Sequence, residues 1–106
     1  MKSRMVQFYV QSDEVPLIMA AISNEVIPRF EQQPHFLGLT VLKSDAEPRS
    51  EMVATSYWDD GLEGSELESQ RFVDEVIRVT GRNPSRKVFD VLYAQVRDSS
   101  GTLSTE

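Results

Sequence analysis

Three side chains in this sequence could take part in catalysis: the only tryptophan, Trp58, the only histidine, His35, and Arg78. An imidazole titrates near neutral pH and can act as a general acid or base. An indole ring can form the wall of a pocket for a flat molecule, and a guanidinium can stabilise an anion. Two structural interpretations stay open beside these: Trp58 as a core ring with a bonded N–H, and His35 as a solvated loop residue.

The segment that carries Trp58 reads MVATSYWDD over residues 52–60. Its β-branched and aromatic residues alternate at period two, which predicts a strand, and Asp59, Asp60 and Gly61 would end it. Small residues beside the large ring suit either a filled core or one side of a pocket. One face would carry Met52, Ala54, Ser56 and Trp58. We predict that a ligand would contact Trp58, Ser56, Tyr9 and Gln7.

The composition excludes several classes of protein. The chain has 106 residues, no cysteine, one histidine and a net charge of −6. Disulfides, thiol chemistry and a metal site made of several histidines or cysteines are therefore excluded within one chain. No basic stretch favours nucleic acid, and no apolar run approaches the length of a membrane span. We expect a cytoplasmic protein with one domain over residues 1–98 and a flexible tail over residues 99–106.

The first half of the chain predicts a strand, a helix and a second strand. The first strand would span Arg4–Gln11, and Ser12 and Asp13 would cap a helix that runs to Phe30. Pro28 predicts a kink or a break near Asn24–Ile27. The second strand would span Phe36–Leu42, with a bulge or a close backbone approach at Gly38. The apolar stripe of the helix would consist of Val15, Ile18, Met19, Ile22, Val26 and Phe30.

The second half repeats this order. A polar loop over Ser44–Ser50 leads to the strand of Trp58, and Ser65 with Glu68 predicts a capping box for the next helix. Gly81 would end that helix, and Lys87–Val96 would form the fourth strand. The inward stripe of the helix would consist of Phe72, Val73, Val76, Ile77 and Thr80. We expect Glu66, Glu68, Asp74 and Glu75 to form a solvated face rather than catalytic pairs.

The predicted order is β-α-β-β-α-β, the ferredoxin-like α+β fold. This fold has a four-stranded antiparallel sheet with two helices on one face. The strands have apolar residues on both faces, such as Phe8 and Tyr9, or Tyr57 and Trp58. A single chain would leave one of these faces exposed to water. We therefore expect a homodimer in which two sheets pack face to face.

The PHFLGL segment after the first helix and the ATSYWDD strand resemble the antibiotic biosynthesis monooxygenase-like family of dimeric α+β barrel proteins. The resemblance covers about Met5 to Val96. Members of that family are small homodimers. Some oxidise aromatic polyketides with O₂ and without metal or flavin, some cleave haem, and others act on signalling metabolites.

The resemblance implies roles for individual residues. Trp58 matches the tryptophan that lines the pocket in the quinone-forming members, and Arg78 falls near their helical arginine. Their pocket asparagine corresponds to Ala54 here, and their tyrosine falls near Gly64. The haem-degrading members have an asparagine where this chain has Gln7, and they also have a tryptophan and a histidine that are missing from its second helix.

Two classes of function remain open at the level of sequence. One is a cofactor-independent monooxygenase that acts on a small aromatic or polyketide-like substrate, with Trp58, His35 and Arg78 as catalytic candidates and without a metal. The other is a non-enzymatic module of the same fold that binds a small ligand or serves only as a dimer. In a purely structural dimer, the side chains of Trp58, Phe8, Phe72 and Met19 would fill the pocket.

Overall fold

A computed structural model describes residues 1–45, 48–59 and 64–95 of the protein. The strands are β1 (Lys2–Val10), β2 (Phe36–Lys43), β3 (Ser50–Trp58) and β4 (Ser85–Asp90). They form one antiparallel sheet in the order β2-β3-β1-β4. The helical segments are α1 (Val15–Ala21), a π-helical stretch (Ile22–Val26), α2 (Ile27–Glu31) and α3 (Ser65–Thr80).

This arrangement confirms the predicted ferredoxin-like α+β fold. The two central strands, β1 and β3, pair along their whole length, and each α-helical crossover returns the chain to the sheet. The helices lie on the side of the sheet that carries Val6, Phe8 and Val10 of β1. The core therefore lies between one face of the sheet and the helical layer, which is also where a pocket would have to form.

The alternation predicted for β3 is confirmed residue by residue. Met52, Ala54, Ser56 and Trp58 are all buried, with exposed fractions of 0–4%. The register change between Phe36 and Gly38 at the start of β2 also confirms the predicted bulge. Period-two patterning in β3 thus identifies the face that packs against the helices.

The first helical segment contains the predicted irregularity, in the form of a π-helical stretch. The N–H of Ile27 bonds to the carbonyl of Ile22, five residues back, instead of to the carbonyl four residues back. Pro28 follows directly and has no N–H to continue the α-helical pattern. The wider turn changes the helical phase but keeps Ile22, Val26 and Phe30 buried.

Two predictions about the first helix were wrong. Met19 is 36% exposed, because it lies about 100° around α1 from the buried Ile18. Glu14, not Ser12 or Asp13, occupies the N-cap position of α1. Its carboxylate accepts hydrogen bonds from the N–H of Gln11 and from Arg82, so Glu14 links the turn before α1 to the segment that follows α3.

The predicted capping box of Ser65 and Glu68 does not form. Gly64 is the N-cap of α3 and has a left-handed backbone with φ of 82°, while Ser65 and Glu68 bond elsewhere. Glycine adopts this conformation without the steric cost of a Cβ. At the other end of α3, Gly81 has a φ of 70° and ends the helix as predicted.

The last strand is shorter than the predicted Lys87–Val96. β4 ends at Asp90, which pairs with Lys2, the first residue of β1. The ladder ends there because β1 provides no further partner, apart from one bond from the N–H of Val91 to the carbonyl of Met1. Val96 and the predicted flexible tail over residues 99–106 lie outside the described residues, as do Asp60 and Gly61, the predicted end of β3.

The second face of the sheet has no helical cover. Leu42 and Tyr9 on this face are 62% and 48% exposed, and Phe89 of β4 is 41% exposed. Leu42 pairs with Val53 and Phe89 with Ser3, which places them on this face. We call this surface the open face. It is more apolar than the solvated side of an antiparallel sheet usually is.

Within the part of the chain that the structure describes, no helix has the length and apolar character that crossing a membrane requires.

Candidate functional site

An apolar cavity lies between the sheet and the helices. On the sheet side its walls are formed by β1, β2 and β3. On the helical side they are formed by the π-helical stretch, α2 and α3. The π-helical stretch provides Ile22 and Val26, so the irregular part of the helix forms a wall of the site, as π-helical turns often do. The lining consists of Arg4, Val6, Ile22, Val26, Phe30, Leu39, Ala54, Ser56, Ser69 and Phe72.

The cavity is narrow in this conformation. About 290 Å³ of space lies between the lining atoms and their opening to solvent, but only about 10 Å³ admits the centre of a water molecule. The smaller volume limits what the cavity can hold, and it is enough for about one water molecule. An aromatic ring could enter only if side chains such as Phe72 or Phe30 moved.

Trp58 lies behind this cavity. Its ring is fully buried and packs against Phe30 and Phe36, with centroids 5.6 and 5.4 Å away. The indole N–H donates a 2.8 Å hydrogen bond to the hydroxyl of Ser56, which itself lines the cavity. The structure thus brings Trp58 and Ser56 together, with Ser56 in direct contact with the cavity and Trp58 supporting it.

Arg4 is the charged residue of the lining. Alternation along β1 places it on the same face as Val6, and its side chain is only 13% exposed. Its Nε donates a 2.8 Å bond to Ser65 Oγ, and its Nη2 lies 2.9 Å from Glu66 Oε2. A cation is thereby held at one side of an otherwise apolar cavity, where it could stabilise a developing negative charge.

Arg86 of β4 reaches the same region of α3. It donates hydrogen bonds to the side chains of Gln70 and Ser69, at 3.0 and 3.3 Å, and its Nη2 lies 3.6 Å from Glu66 Oε1. Ser69 is buried and lines the cavity. Arg86 is therefore linked to the cavity through one hydroxyl group.

Glu68 is not on a solvated face as predicted, because only 6% of it is exposed. Its carboxylate lies between Arg29 and Arg71, with Oε1 3.3 Å from Arg29 Nε and Oε2 3.7 Å from Arg71 Nη1. The Arg29 contact has the distance of an ion pair but not hydrogen-bond geometry, and Oε1 accepts no hydrogen bond from a described residue. Glu68 thus joins α2 to α3 electrostatically.

Arg78 lies away from the cavity. It pairs with Glu75 through a 2.8 Å bond and borders an open groove between α1 and α3, together with Leu17, Asn24 and Glu25. The bond from Arg78 lowers the pKa of the Glu75 carboxyl, and the same carboxylate raises the pKa of Arg78. The geometry therefore does not bring Arg78 together with Trp58.

His35 lies where β2 begins, beside the end of β3. Its Nδ1 is 2.7 Å from Asp59 Oδ1, and the backbone N–H of Asp59 donates to the carbonyl of His35. A carboxylate of this kind fixes the orientation of an imidazole. The pair is open to solvent, since His35 is 37% exposed, and His35 is not part of the cavity lining.

Gln7 and Tyr9 lie on the open face and not in the cavity. Gln7 pairs with Val53 and donates a hydrogen bond to Glu51, and the Tyr9 ring lies 6.0 Å from the guanidinium of Arg49. Strand alternation explains the separation, because Gln7 and Tyr9 alternate with the buried Val6, Phe8 and Val10. A ligand that touched both these residues and Ser56 would have to pass through the sheet.

Arg4 and Ser69 are cavity residues that the sequence did not identify as candidates, whereas Phe72 was predicted only as a side chain that fills the pocket. Arg4 carried a usable signal, because a charged residue in phase with Val6 and Phe8 on a buried strand face needs a partner. Ser69 carried none beyond its place on α3. No group of described side chains has the composition of a metal site.

Similar folds occur in solved structures of oxygenases. A protein from Nitrosomonas europaea named as an antibiotic biosynthesis monooxygenase superposes with a TM-score of 0.65 at 14% identity, covering 88% of this chain and all of that one. The ActVA-Orf6 monooxygenase of Streptomyces coelicolor, solved with nanaomycin D, gives 0.64 at 11% identity over 92% of both chains. No family model and no curated protein matches the sequence.

The fold is therefore that of the antibiotic biosynthesis monooxygenases, which confirms the predicted resemblance at the level of structure. SnoaB, a cofactor-independent oxygenase of Streptomyces nogalater, gives a TM-score of 0.57 at 15% identity over 88% of this chain and 94% of its own. A de novo designed protein, Foldit4, gives 0.63 at 16% identity, covering 83% of this chain and 92% of the designed one. A similar fold thus occurs both in proteins named as oxygenases and in a designed protein, so the likeness defines the fold alone.

Proposed function

We propose that this protein is a cofactor-independent monooxygenase that acts on a small aromatic substrate in the cavity between sheet and helices. The observation that carries the proposal is an apolar cavity with one charged residue, Arg4, and two buried hydroxyls, Ser56 and Ser69, in its lining. Apolar walls with a few convergent polar groups are typical of small-molecule sites. The solved oxygenases of the same fold support this choice among the functions such a cavity could serve.

The substrate would provide the electrons for this reaction. An electron-rich phenol that loses its proton can transfer electrons to O₂, after which one oxygen atom becomes a new ring carbonyl and the other leaves as water. For a naphthol, the balance is naphthol plus O₂ giving naphthoquinone plus water. The protein would bind the ring, stabilise the phenolate next to the Arg4 guanidinium and exclude water.

Entry of the substrate requires the cavity to open. The π-helical stretch is the natural place, because Ile22 and Val26 lie on it and its hydrogen bonds differ from those of α1 and α2. Pro28 also removes one hydrogen bond that would otherwise stiffen this region. We expect the helical layer to move away from β3 here, while Trp58 stays packed against Phe36.

The active form in this proposal is a homodimer that buries the open face. Tyr9, Leu42 and Phe89 are exposed on this face, which also carries partly buried apolar residues of β1 and β3. Packing two such faces together would remove them from water, as sheets do when they stack about 10 Å apart. In the dimer, Gln7 and Tyr9 would line the interface.

Oxygen consumption with a panel of naphthols and dihydroxynaphthalenes tests the proposal. We expect uptake with at least one member, formation of the quinone, and slower turnover in Arg4→Lys and Trp58→Phe proteins that remain folded. His35→Gln is the internal comparison, because His35 lies outside the cavity lining. No uptake with any member of the panel by the folded wild-type protein would refute the proposal.

A binding module without catalysis is the second candidate. The lining of the cavity favours it, because none of the three catalytic candidates, Trp58, His35 and Arg78, belongs to that lining. This function predicts a rise in melting temperature with an aromatic ligand but no oxygen uptake. The same panel therefore separates the two candidates when thermal melting is measured beside oxygen consumption.

A further inference from the structure

Two arginines and one carboxylate meet at the side of the cavity. Arg4 Nη2 lies 2.9 Å from one oxygen of Glu66, and Arg86 Nη2 lies 3.6 Å from the other. Both arginines are on the helix side of the sheet, because Arg4 pairs with Ser56 and Arg86 pairs with Val6. Glu66 thus holds a position between two guanidinium groups, which is how proteins bind an anionic ligand group.

The members of this cluster differ in how firmly they are held. The side chain of Glu66 is 69% exposed, whereas those of Arg4 and Arg86 are 13% and 32% exposed. Other bonds hold the arginines, from Arg4 to Ser65 and from Arg86 to Ser69 and Gln70. The exposed carboxylate can therefore turn away into water at small cost and leave both arginines in place.

The cluster is continuous with the cavity. Arg4 belongs both to the cluster and to the lining, and Ser69 of the lining accepts a hydrogen bond from Arg86. The lining around them is otherwise almost entirely apolar. A molecule with a flat apolar body inside would project a polar group towards the two arginines. Replacing the Glu66 carboxylate with a ligand acid would preserve the charge balance of the cluster.

We infer that the ligand is an aromatic molecule carrying an acidic group, and that this group takes the place of the Glu66 carboxylate between Arg4 and Arg86. The inference rests on the proposed function for the location of the ring and adds the class of substrate. Arg86 is then a specificity residue, and Glu66 competes internally with the ligand.

The test compares two probes that differ mainly in charge: 2-naphthoate, which is an anion at pH 7, and the neutral 2-naphthamide. Calorimetric titration of the full-length wild-type protein should show naphthoate binding at least about tenfold more tightly, as expected for hydrogen bonds to a charged group. Raising the salt concentration should weaken naphthoate binding and leave naphthamide binding unchanged.

Two pairs of variants locate the effect. Arg86→Gln should weaken naphthoate binding about tenfold, whereas Lys87→Gln should have no effect. The control removes the same charge from the neighbouring residue of β4, on the opposite face of the sheet. Glu66→Gln should tighten naphthoate binding about threefold by removing the competing carboxylate, and Glu31→Gln, an equal charge change at the end of α2, should not.

Equal affinity for the two probes, or equal losses in Arg86→Gln and Lys87→Gln, would overturn the inference. So would the absence of naphthoate binding in both the wild-type and Glu66→Gln proteins. The result is independent of turnover. A protein that oxidises naphthols but does not distinguish the probes keeps the proposed oxygenase and loses the acid site. A protein that binds naphthoate through Arg86 but consumes no O₂ with any phenol would keep the acid site and lose the proposed oxygenase.

Discussion

At the scale of single residues, the burial of a charged side chain depends on its ion-pair partners, which the apolar pattern of its own helix does not reveal. Glu68 falls in the same acidic run as Glu66, yet one carboxylate is buried and the other is 69% exposed. The difference arises from partners distant in sequence, because Arg29 of α2 lies against Glu68. A burial pattern read along α3 alone does not contain that information.

Removing the charge of Glu68 should therefore destabilise the fold. Glu68→Gln leaves Arg29 and Arg71 without their shared carboxylate, and we expect a loss of about 1–2 kcal/mol, or roughly 5–10 °C in melting temperature. Both arginines remain partly exposed, which keeps the cost below that of a fully buried pair. Asp74→Asn, on the same helix but exposed, is the control, and equal melting temperatures for the two variants would contradict the assignment.

The Glu75–Arg78 pair gives a pH-dependent prediction. Because the folded-state pKa of Glu75 is lowered, mainly by the bond from Arg78, its stabilisation is present above the unfolded-state pKa and is lost as pH falls through the folded-state pKa. At pH 7, Glu75→Gln should melt about 2 °C below wild type, the size expected of an i,i+3 ion pair. The difference should shrink as the pH is lowered and the carboxylate takes up a proton, and a gap that persists unchanged in acid would show that the carboxylate's charge is not its cause.

At the scale of elements, three glycines at the ends of helices and in a strand allow the effect of a left-handed backbone to be distinguished from the effect of steric crowding. Gly64 has a φ of 82°, and a Cβ there would lie 2.2 Å from Gln33 Oε1. Gly81 has a φ of 70° and open space, and Gly38 has open space without a positive φ. The three positions thus differ in one property at a time.

Alanine at each of these glycines should destabilise in a fixed order. Gly81→Ala should cost about 1–2 kcal/mol for the left-handed backbone alone. Gly64→Ala should cost at least as much, because the Gln33 side chain must also move, and Gly38→Ala should be near neutral or slightly stabilising. Urea unfolding measures the free energy of unfolding of all three variants, provided that its dependence on urea concentration is the same as in the wild type. A loss in Gly38→Ala as large as that in Gly81→Ala would contradict the explanation by backbone conformation.

At the scale of the whole molecule, the sequence predicts the fold better than the site. Period-two runs in β1 and β3, the kink before Pro28 and the stop at Gly81 suffice for the order and faces of the elements. The predicted site is divided, because strand alternation places Gln7 and Tyr9 on the face of the sheet that does not carry Trp58. Arg4 was missed because its partners, Ser65 and Glu66, come from a helix sixty residues away.

The open face provides the last prediction, on self-association. If two copies pack sheet to sheet, a charge placed on that face must lose water without gaining a partner. Leu42 and Leu67 are matched for this purpose: they are 62% and 57% exposed, but Leu42 is on the open face and Leu67 is on α3. Leu42→Glu should weaken dimerisation at least about tenfold in sedimentation equilibrium, since one unpaired buried polar group costs about 1–3 kcal/mol. Leu67→Glu should leave it unchanged. A folded wild-type protein that sediments as a monomer at micromolar concentration, or equal weakening by both variants, would contradict packing through this face.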